Sequence, residues 1–453
     1  MKKFTRRDVL KNSAGVAGLL ALTACGAAPA APTPTAAAVT GAPGIVTQTG
    51  SKVKVTYWGS FSGVNGETEQ ALVDQFNSTQ SDVELDYQFQ GTYEETAQKL
   101  TAALQSKTAP EVSLLSDVWW FKFYVAQALQ PLDGLFAGAG IDKSDYVDVL
   151  INEGVRQGAQ YWMPMARSTP LFYYNKSLYQ AAGIEDRGPE TWDELAGWAE
   201  QLTVREGNEI KQAAFGHPGA ASYIAWIFQG VAWQFGGAYS TPDFQMMMTD
   251  PNTVRAGQFY GDSVNKDGWA LYSADVQKDF ITGVVASAIM STGSMGGVLK
   301  DATFDVGTAF LPKQDAFGCC TGGAGLAVLA GLPQEKQEAA IKWIAFATSP
   351  ENTTFWAQKT GYMPVRKSAV DSPEMQAYFT ERPSFKTAVD QLPLTRPQDA
   401  ARVFVPGGDQ IIGKGLERII VSQEDPATSF ATVQSELEAA AAPILEGLKA
   451  IEG

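Results

Sequence analysis

The stretch from Val53 to Leu115 switches repeatedly between the hydrophobic period of a strand and that of a helix, and this rhythm constrains the fold more than any other feature. Val53-Lys54-Val55-Thr56-Tyr57-Trp58 alternates apolar and polar residues as a half-buried strand does. A helix over 67–76 follows, with Leu72, Val73 and Phe76 on one face. Val83, Leu85, Tyr87 and Phe89 alternate again, Ala97, Leu100 and Leu104 return to helical spacing, and Val112-Ser113-Leu114-Leu115 is a short buried strand. Strands alternating with helices cannot pair as hairpins, so they imply a parallel sheet with helices on its faces. Ligands of such α/β sheets bind beyond the carboxyl ends of the strands. The loops to watch are therefore those carrying Ser60, Gly91–Tyr93 and Ser116–Asp117.

A second α/β unit begins at Leu171-Phe172-Tyr173-Tyr174. Thr191-Trp192-Asp193-Glu194 has the pattern of a capping box, starting a helix with Leu195, Trp198 and Leu202 inward. An aromatic-rich stretch covers 223–239 and a Gly/Ser-rich one 291–297. Residues 334–348 are amphipathic, Ser349-Pro350-Glu351 reads as an N-cap with proline at the first helical position, and Gly361 stops that helix. The tail from Glu436 to Leu448 is Ala-rich and helical.

The N-terminus says where this body works. Thr5-Arg6-Arg7-Asp8-Val9-Leu10-Lys11 is a twin-arginine export signature. The weakly apolar run Ser13–Ala24 is too short to span a bilayer and reads as a signal-peptide core. It ends in Leu22-Thr23-Ala24-Cys25, which resembles a bacterial lipobox whose cysteine is diacylated after cleavage. Residues 1–24 are then a signal peptide. Residues 25–50, nearly all Ala, Pro, Thr and Gly, form an extended tether. The mature protein is expected on the outer face of the cytoplasmic membrane, anchored through Cys25.

Charge excludes some partners. The chain has 49 acidic and 34 basic residues, net −15; loss of residues 1–24, with five basic and one acidic residue, takes it to −19. Such a surface repels nucleic acid. A lone histidine, His217, argues against a zinc site or a His-based catalytic dyad and reads as a loop residue before Pro218. No metal or cofactor is expected. Gly408–Gly415 is one residue short of a phosphate-binding P-loop and has Gly415 where a hydroxyl must reach Mg²⁺. Gly322-Gly323-Ala324-Gly325 lacks dinucleotide-fingerprint spacing, and Ser294 lacks a glycine two positions before it. No pair of carboxylates is singled out for glycoside hydrolysis.

Ser168-Thr169-Pro170-Leu171-Phe172-Tyr173-Tyr174-Asn175-Lys176, with Gly183 and Thr191-Trp192-Asp193-Glu194-Leu195, resembles the central signature of bacterial extracellular solute-binding proteins of sugar transporters. Thr360-Gly361-Tyr362-Met363-Pro364-Val365 resembles their second signature. With Gln88–Glu94, Ser291–Met295 and Gly322–Leu326 the likeness is greatest to the glycerol-3-phosphate-binding branch, and it spans nearly the whole body. The resemblance implies an α/β, two-lobed periplasmic-binding-protein fold (type II, class D-like) with three hinge crossings and a ligand cleft between the lobes. The first lobe would comprise 51–166 and 322–362, the second 167–321 and 363–453. Crossings are expected near Arg167–Pro170, Cys320–Gly325 and Tyr362–Pro364.

By the same resemblance, Ser60, Tyr93 and Asp117 face the cleft from the first lobe. Ser168, Gly323 and Tyr362 do so from the hinge, and Ser291 with the 223–233 aromatics, Tyr223, Trp226 and Trp233, from the second lobe. The branch has a phosphate-binding arginine near its C-terminus, and an ungapped alignment puts Asp409 there. A carboxylate favours hydroxyls over phosphate. Its stacking tryptophan falls near Ala221, leaving Tyr223 or Trp226 to substitute, while Arg167 or Arg366 could restore an anion site. The expectation is a monomeric, non-enzymatic lipoprotein. It hands a neutral oligosaccharide or polyol to the transmembrane permease subunits of an ABC transporter. A glycerol-3-phosphate or glycerophosphodiester ligand is the alternative, and an exported carbohydrate-active enzyme the alternative of another class.

Cys319 and Cys320 are the two thiols left once Cys25 is lipidated. In an oxidising compartment they either bridge each other in a strained ring, the reading favoured from sequence, or stay reduced on opposite faces of a buried strand.

Overall fold

The computed structural model describes residues 52–220 and 223–452. The twin-arginine motif, Cys25 and the 25–50 tether lie outside the described residues. Ten strands build two five-stranded sheets: β1 Val53–Gly59, β2 Val83–Phe89, β3 Val112–Ser116, β4 Met163–Ser168, β5 Pro170–Asn175, β6 Phe215–Pro218, β7 Ala270–Ser273, β8 Ser287–Ser291, β9 Val306–Ala309 and β10 Gly322–Val328. The first sheet has the order β2-β1-β3-β10-β4 and the second β7-β6-β8-β5-β9.

In the first sheet β1 runs parallel to β2, in register from Val53↔Val83 to Gly59↔Phe89, and parallel to β3. The connecting helices are Gly63–Thr79, which buries Leu72, Val73 and Phe76, and Tyr93–Ser106. Thr92 caps the second of these in a full capping box with Glu95, which satisfies orphan N–H groups of the first turn. The central strand β3 is buried at all five positions, which is why it reads as an unbroken run. At the sheet edge Phe89 is 53% exposed, so the alternation of β2 ends in solvent.

β10 pairs antiparallel with both β3 and β4, because the chain re-enters this sheet from the other lobe. The second sheet repeats the plan. β6 is parallel to β7 and β8, while β5 is antiparallel to β8 and β9.

The lobes are joined where strands pass from one sheet to the other. β4 ends at Ser168 and β5 begins at Pro170, so Thr169 alone spans the first crossing. Cys320 and Thr321 lead into β10 at the second. The third falls later than the Pro/Gly placement implied. Met363 N–H donates to Arg167 O at 2.8 Å, Val147 N–H to Val365 O at 3.0 Å, and Arg366 Nε to Asp145 at 2.7 Å, so residues 363–366 are still held to the first lobe. The chain reaches the second sheet with helix Pro383–Gln391, where Thr308 Oγ1 donates to Ser384 O at 3.1 Å.

Two further expectations change. His217 lies in β6, fully buried, with Nε2 2.8 Å from Ser263 Oγ; it is a core residue rather than a loop residue. Cys319 and Cys320 are free thiols. Cys319 Sγ lies 3.0 Å from Thr169 Oγ1, and Cys320 Sγ lies 3.5 Å from Trp226 O. Successive side chains of extended backbone point apart, and each sulfur has its own polar partner. Burial pushes the Cys319 thiol up to about 12.

Candidate functional site

A cavity of about 540 Å³ opens between the two lobes. The carboxyl ends of the first-sheet strands form one wall. β3 delivers Ser116 and, just beyond it, Asp117, whose N–H donates to Gly323 O at 2.9 Å. Gly323 is required there: its φ is +104°, and a Cβ would stand 2.1 Å from Ala166 O. The first turn of helix Tyr93–Ser106 brings Tyr93 and Glu94 to the cavity, and β4 brings Ser168. Tyr362 closes the hinge side, stacked on Trp356 with centroids 5.7 Å apart and its hydroxyl 3.5 Å from that of Tyr93.

The second lobe supplies the opposite wall. Tyr223 and Trp226 come from the start of helix Ile224–Gln234, and Trp226 Nε1 donates to Thr321 O at 2.9 Å. Ser291 ends β8 and turns the chain through Gly293, whose close approach to the Tyr362 ring leaves no room for a side chain. Burial pushes the hydroxyls of Tyr93 and Tyr223 well up, and that of Tyr362 to about 12. These phenols therefore stay neutral and able to donate hydrogen bonds at physiological pH.

The charged centre of the cavity is Arg402, which sequence reasoning missed. It is 6% exposed and lies between carboxylates from the two lobes. Its Nε donates to Asp409 Oδ1 at 2.6 Å, and its Nη1 is 3.5 Å from Asp117 Oδ2. Gln398 joins the pair: its Nε2 donates to Asp117 Oδ2 at 2.6 Å, and its Oε1 accepts from Arg402 Nη1. Among the described residues Nη2 has no hydrogen-bond partner. Burial opposes the Arg402 charge, but Asp409 and Asp117 hold its pKa above the ordinary guanidinium value. Contacts across the mouth add to closure: Gln410 Nε2 donates to Glu94 at 2.8 Å, and Asn65 Nδ2 to Gly293 O at 3.1 Å.

Of the residues picked from sequence, the cavity brings together Tyr93, Asp117, Ser168, Tyr223, Ser291, Gly323, Tyr362 and Asp409. Ser60 and Trp233 do not line it. Ser60 stands beyond β1 as expected, but its Oγ is 2.8 Å from Thr96 Oγ1 in a separate hollow. Trp233 is two helical turns past Trp226, so the helix carries it away from the cleft. Its Nε1 donates to Asp399 at 3.0 Å under the Arg396 guanidinium. Neither alternative arginine reaches the cavity, since Arg167 pairs with Glu153 and Arg366 with Asp145. No cluster of metal-ligating side chains occurs among the described residues.

Two α/β lobes linked by strand crossings, with a cavity between them lined from both sides, define the two-lobed periplasmic-binding-protein fold. The chain belongs to the bacterial extracellular solute-binding protein family, which it matches over residues 71–382. It is 42% identical to UgpB from Mycobacterium tuberculosis, solved in complex with glycerophosphocholine. That likeness has a TM-score of 0.82 and covers 86% of this chain and 99% of the other. The sn-glycerol-3-phosphate-binding periplasmic protein UgpB of Escherichia coli (strain K12) is 26% identical over 398 residues, 83% of this chain and 90% of that protein. The GacH receptor of Streptomyces glaucescens GLA.O, solved unliganded and with acarbose, shares the fold at 21% identity and a TM-score of 0.75, over 86% of this chain and 98% of its own. No helix among the described residues is long and apolar enough to cross a membrane.

Proposed function

We propose that this protein captures a glycerophosphodiester with a cationic head group, of the glycerophosphocholine kind, and delivers it to the permease of an ABC importer. The observation that carries this reading is Arg402, set in the cleft between Asp117 and Asp409 with Nη2 unbonded among the described residues. A phosphodiester bears a single negative charge, and the N–H groups of Nη2 are left to donate to its oxygens. The two carboxylates and the faces of Tyr93, Tyr223, Trp226 and Tyr362 suit glycerol hydroxyls and a quaternary ammonium. The 42% identical UgpB, solved with glycerophosphocholine, supports the same choice.

The case for a neutral sugar rested on Asp409 as a bare carboxylate. In the structure Asp409 is one half of an ion pair, so its charge no longer argues against a singly charged phosphodiester, while it still disfavours a dianion. Asp117 remains a hydroxyl acceptor in either case. Binding proceeds without chemical change to the solute, and lobe closure does the work. Export by the twin-arginine motif and lipidation of Cys25 would place the body outside the cytoplasmic membrane, on the 25–50 tether.

A thermal-shift panel of glycerophosphodiesters, glycerol-3-phosphate, polyols and mono- to trisaccharides tests this reading. Ligand at a hundred times its dissociation constant adds roughly 2.7 kcal/mol of stability. The largest shift should come from glycerophosphocholine. A shift with oligosaccharides alone would return the neutral-sugar reading.

A further inference from the structure

The final helix, Pro426–Glu452, is the longest among the described residues, and its apolar positions serve two different cores. Phe430, Val433, Leu437 and Ala441 are buried with second-lobe residues such as Phe228, Ile412 and Ile419. Ser429 Oγ fixes this half by donating to Gly415 O at 2.9 Å. Past Ala441 the helix begins to change sides, with Leu445 still against the second-lobe core. Ile444 and Leu448 pack with Trp120, Phe121 and Tyr124 of the first lobe. Gly447 lets the helix approach closely, since a Cβ there would lie 2.6 Å from Val125 Cγ1.

The end of the helix is fastened. The Glu452 carboxylate accepts from Arg156 Nε at 3.0 Å and Nη2 at 2.7 Å, and from the Tyr124 hydroxyl at 2.8 Å. The changeover from one core to the other falls at Pro443, inside the helix. Proline has no N–H to give the carbonyl of Ala439, so the helix is weakest where it passes between lobes.

We infer that residues 444–452 form a latch that holds the lobes closed, with Arg156 and Tyr124 as its catch. Each half of the helix is anchored to a different lobe. Rotation about the strand crossings must therefore release the catch or bend the helix at Pro443. The Arg156–Glu452 pair is bidentate but partly exposed, at 28% and 14%, so it is strong enough to bias closure and weak enough to break. It lies away from the ligand cavity and acts on the open–closed balance whatever the solute.

The test uses the ligand-free protein, so it stands or falls separately from the choice of ligand. Glu452→Gln should enlarge the radius of gyration in small-angle scattering. It should also speed hydrogen exchange in 444–452 by about three- to tenfold, leaving 430–441 unchanged. Pro443→Ala, which keeps the catch and stiffens the helix, should do the opposite. Equal exchange and equal radius in all three proteins, with only a shift in melting temperature, would make the segment structural packing and overturn the latch.

Discussion

Arg402 Nε donates to Asp409 Oδ1 at 2.6 Å inside the cleft, which makes the acidic residue a partner of the cleft's buried cation. The two are seven residues apart, Arg402 in the short helix Ala400–Val403 and Asp409 in the first turn of helix Gly408–Val421. Gly408 permits the tight joint, since a Cβ there would lie 2.0 Å from Ala401 O. Local backbone geometry thus fixes the charge pattern of the cleft.

Arg402→Lys keeps the charge and loses the planar fork. Affinity for glycerophosphocholine should fall by about ten- to a hundredfold, with a much smaller change in melting temperature. Calorimetry on both proteins checks it. Unchanged affinity would remove Arg402 from recognition.

Asp409→Asn removes one negative charge beside the guanidinium. Glycerol-3-phosphate, doubly charged near neutral pH, should gain on the order of tenfold relative to glycerophosphocholine. Competition titration at fixed ionic strength reads the ratio. A ratio that does not move would mean that Asp409 has no part in choosing between phosphates.

Gly323→Ala should destabilise the protein by about 2–4 kcal/mol, because the left-handed φ of +104° and the Ala166 carbonyl both exclude a methyl group. Urea unfolding of the variant against the parent measures it. A loss below about 0.5 kcal/mol would show that β10 can shift freely at the crossing.

His217 sets a pH dependence. Burial depresses its pKa from 6.5 to about 3, so the folded protein keeps it neutral while the unfolded chain takes up a proton below 6.5. Its contribution to stability is therefore complete above pH 6.5 and is lost as pH falls from there toward 3. His217→Gln should flatten this part of the acid-unfolding profile. An unaltered slope would mean that the imidazole protonates without unfolding.

Strands β1 and β2 could be read from sequence because they are half-buried and alternate, and the helix starts at Thr191 and Ser349 because local side chains cap them. Strand-end logic placed Asp117 and Tyr93 in the cleft for the same reason. It failed for Ser60, whose hydroxyl is taken by Thr96, a contact invisible in one dimension. Helix Ile224–Gln234 is buried at every position, so no periodicity separates cavity-facing Trp226 from Trp233. Arg402 lies in no motif. Its one signal is a lone arginine among Ala400, Ala401 and Val403, a charge in a segment otherwise suited to burial. The late third crossing was hidden because ion pairs such as Arg366–Asp145, between distant segments, hold the chain to the first lobe past Pro364.

The most direct measurement is a calorimetric titration of residues 52–453 with glycerophosphocholine, and in parallel with glycerol-3-phosphate and a neutral trisaccharide. The predicted result is saturable one-to-one binding of glycerophosphocholine, at least about tenfold tighter than either of the others, a margin of about 1.4 kcal/mol. Saturable binding of the trisaccharide with no heat from glycerophosphocholine would contradict the account.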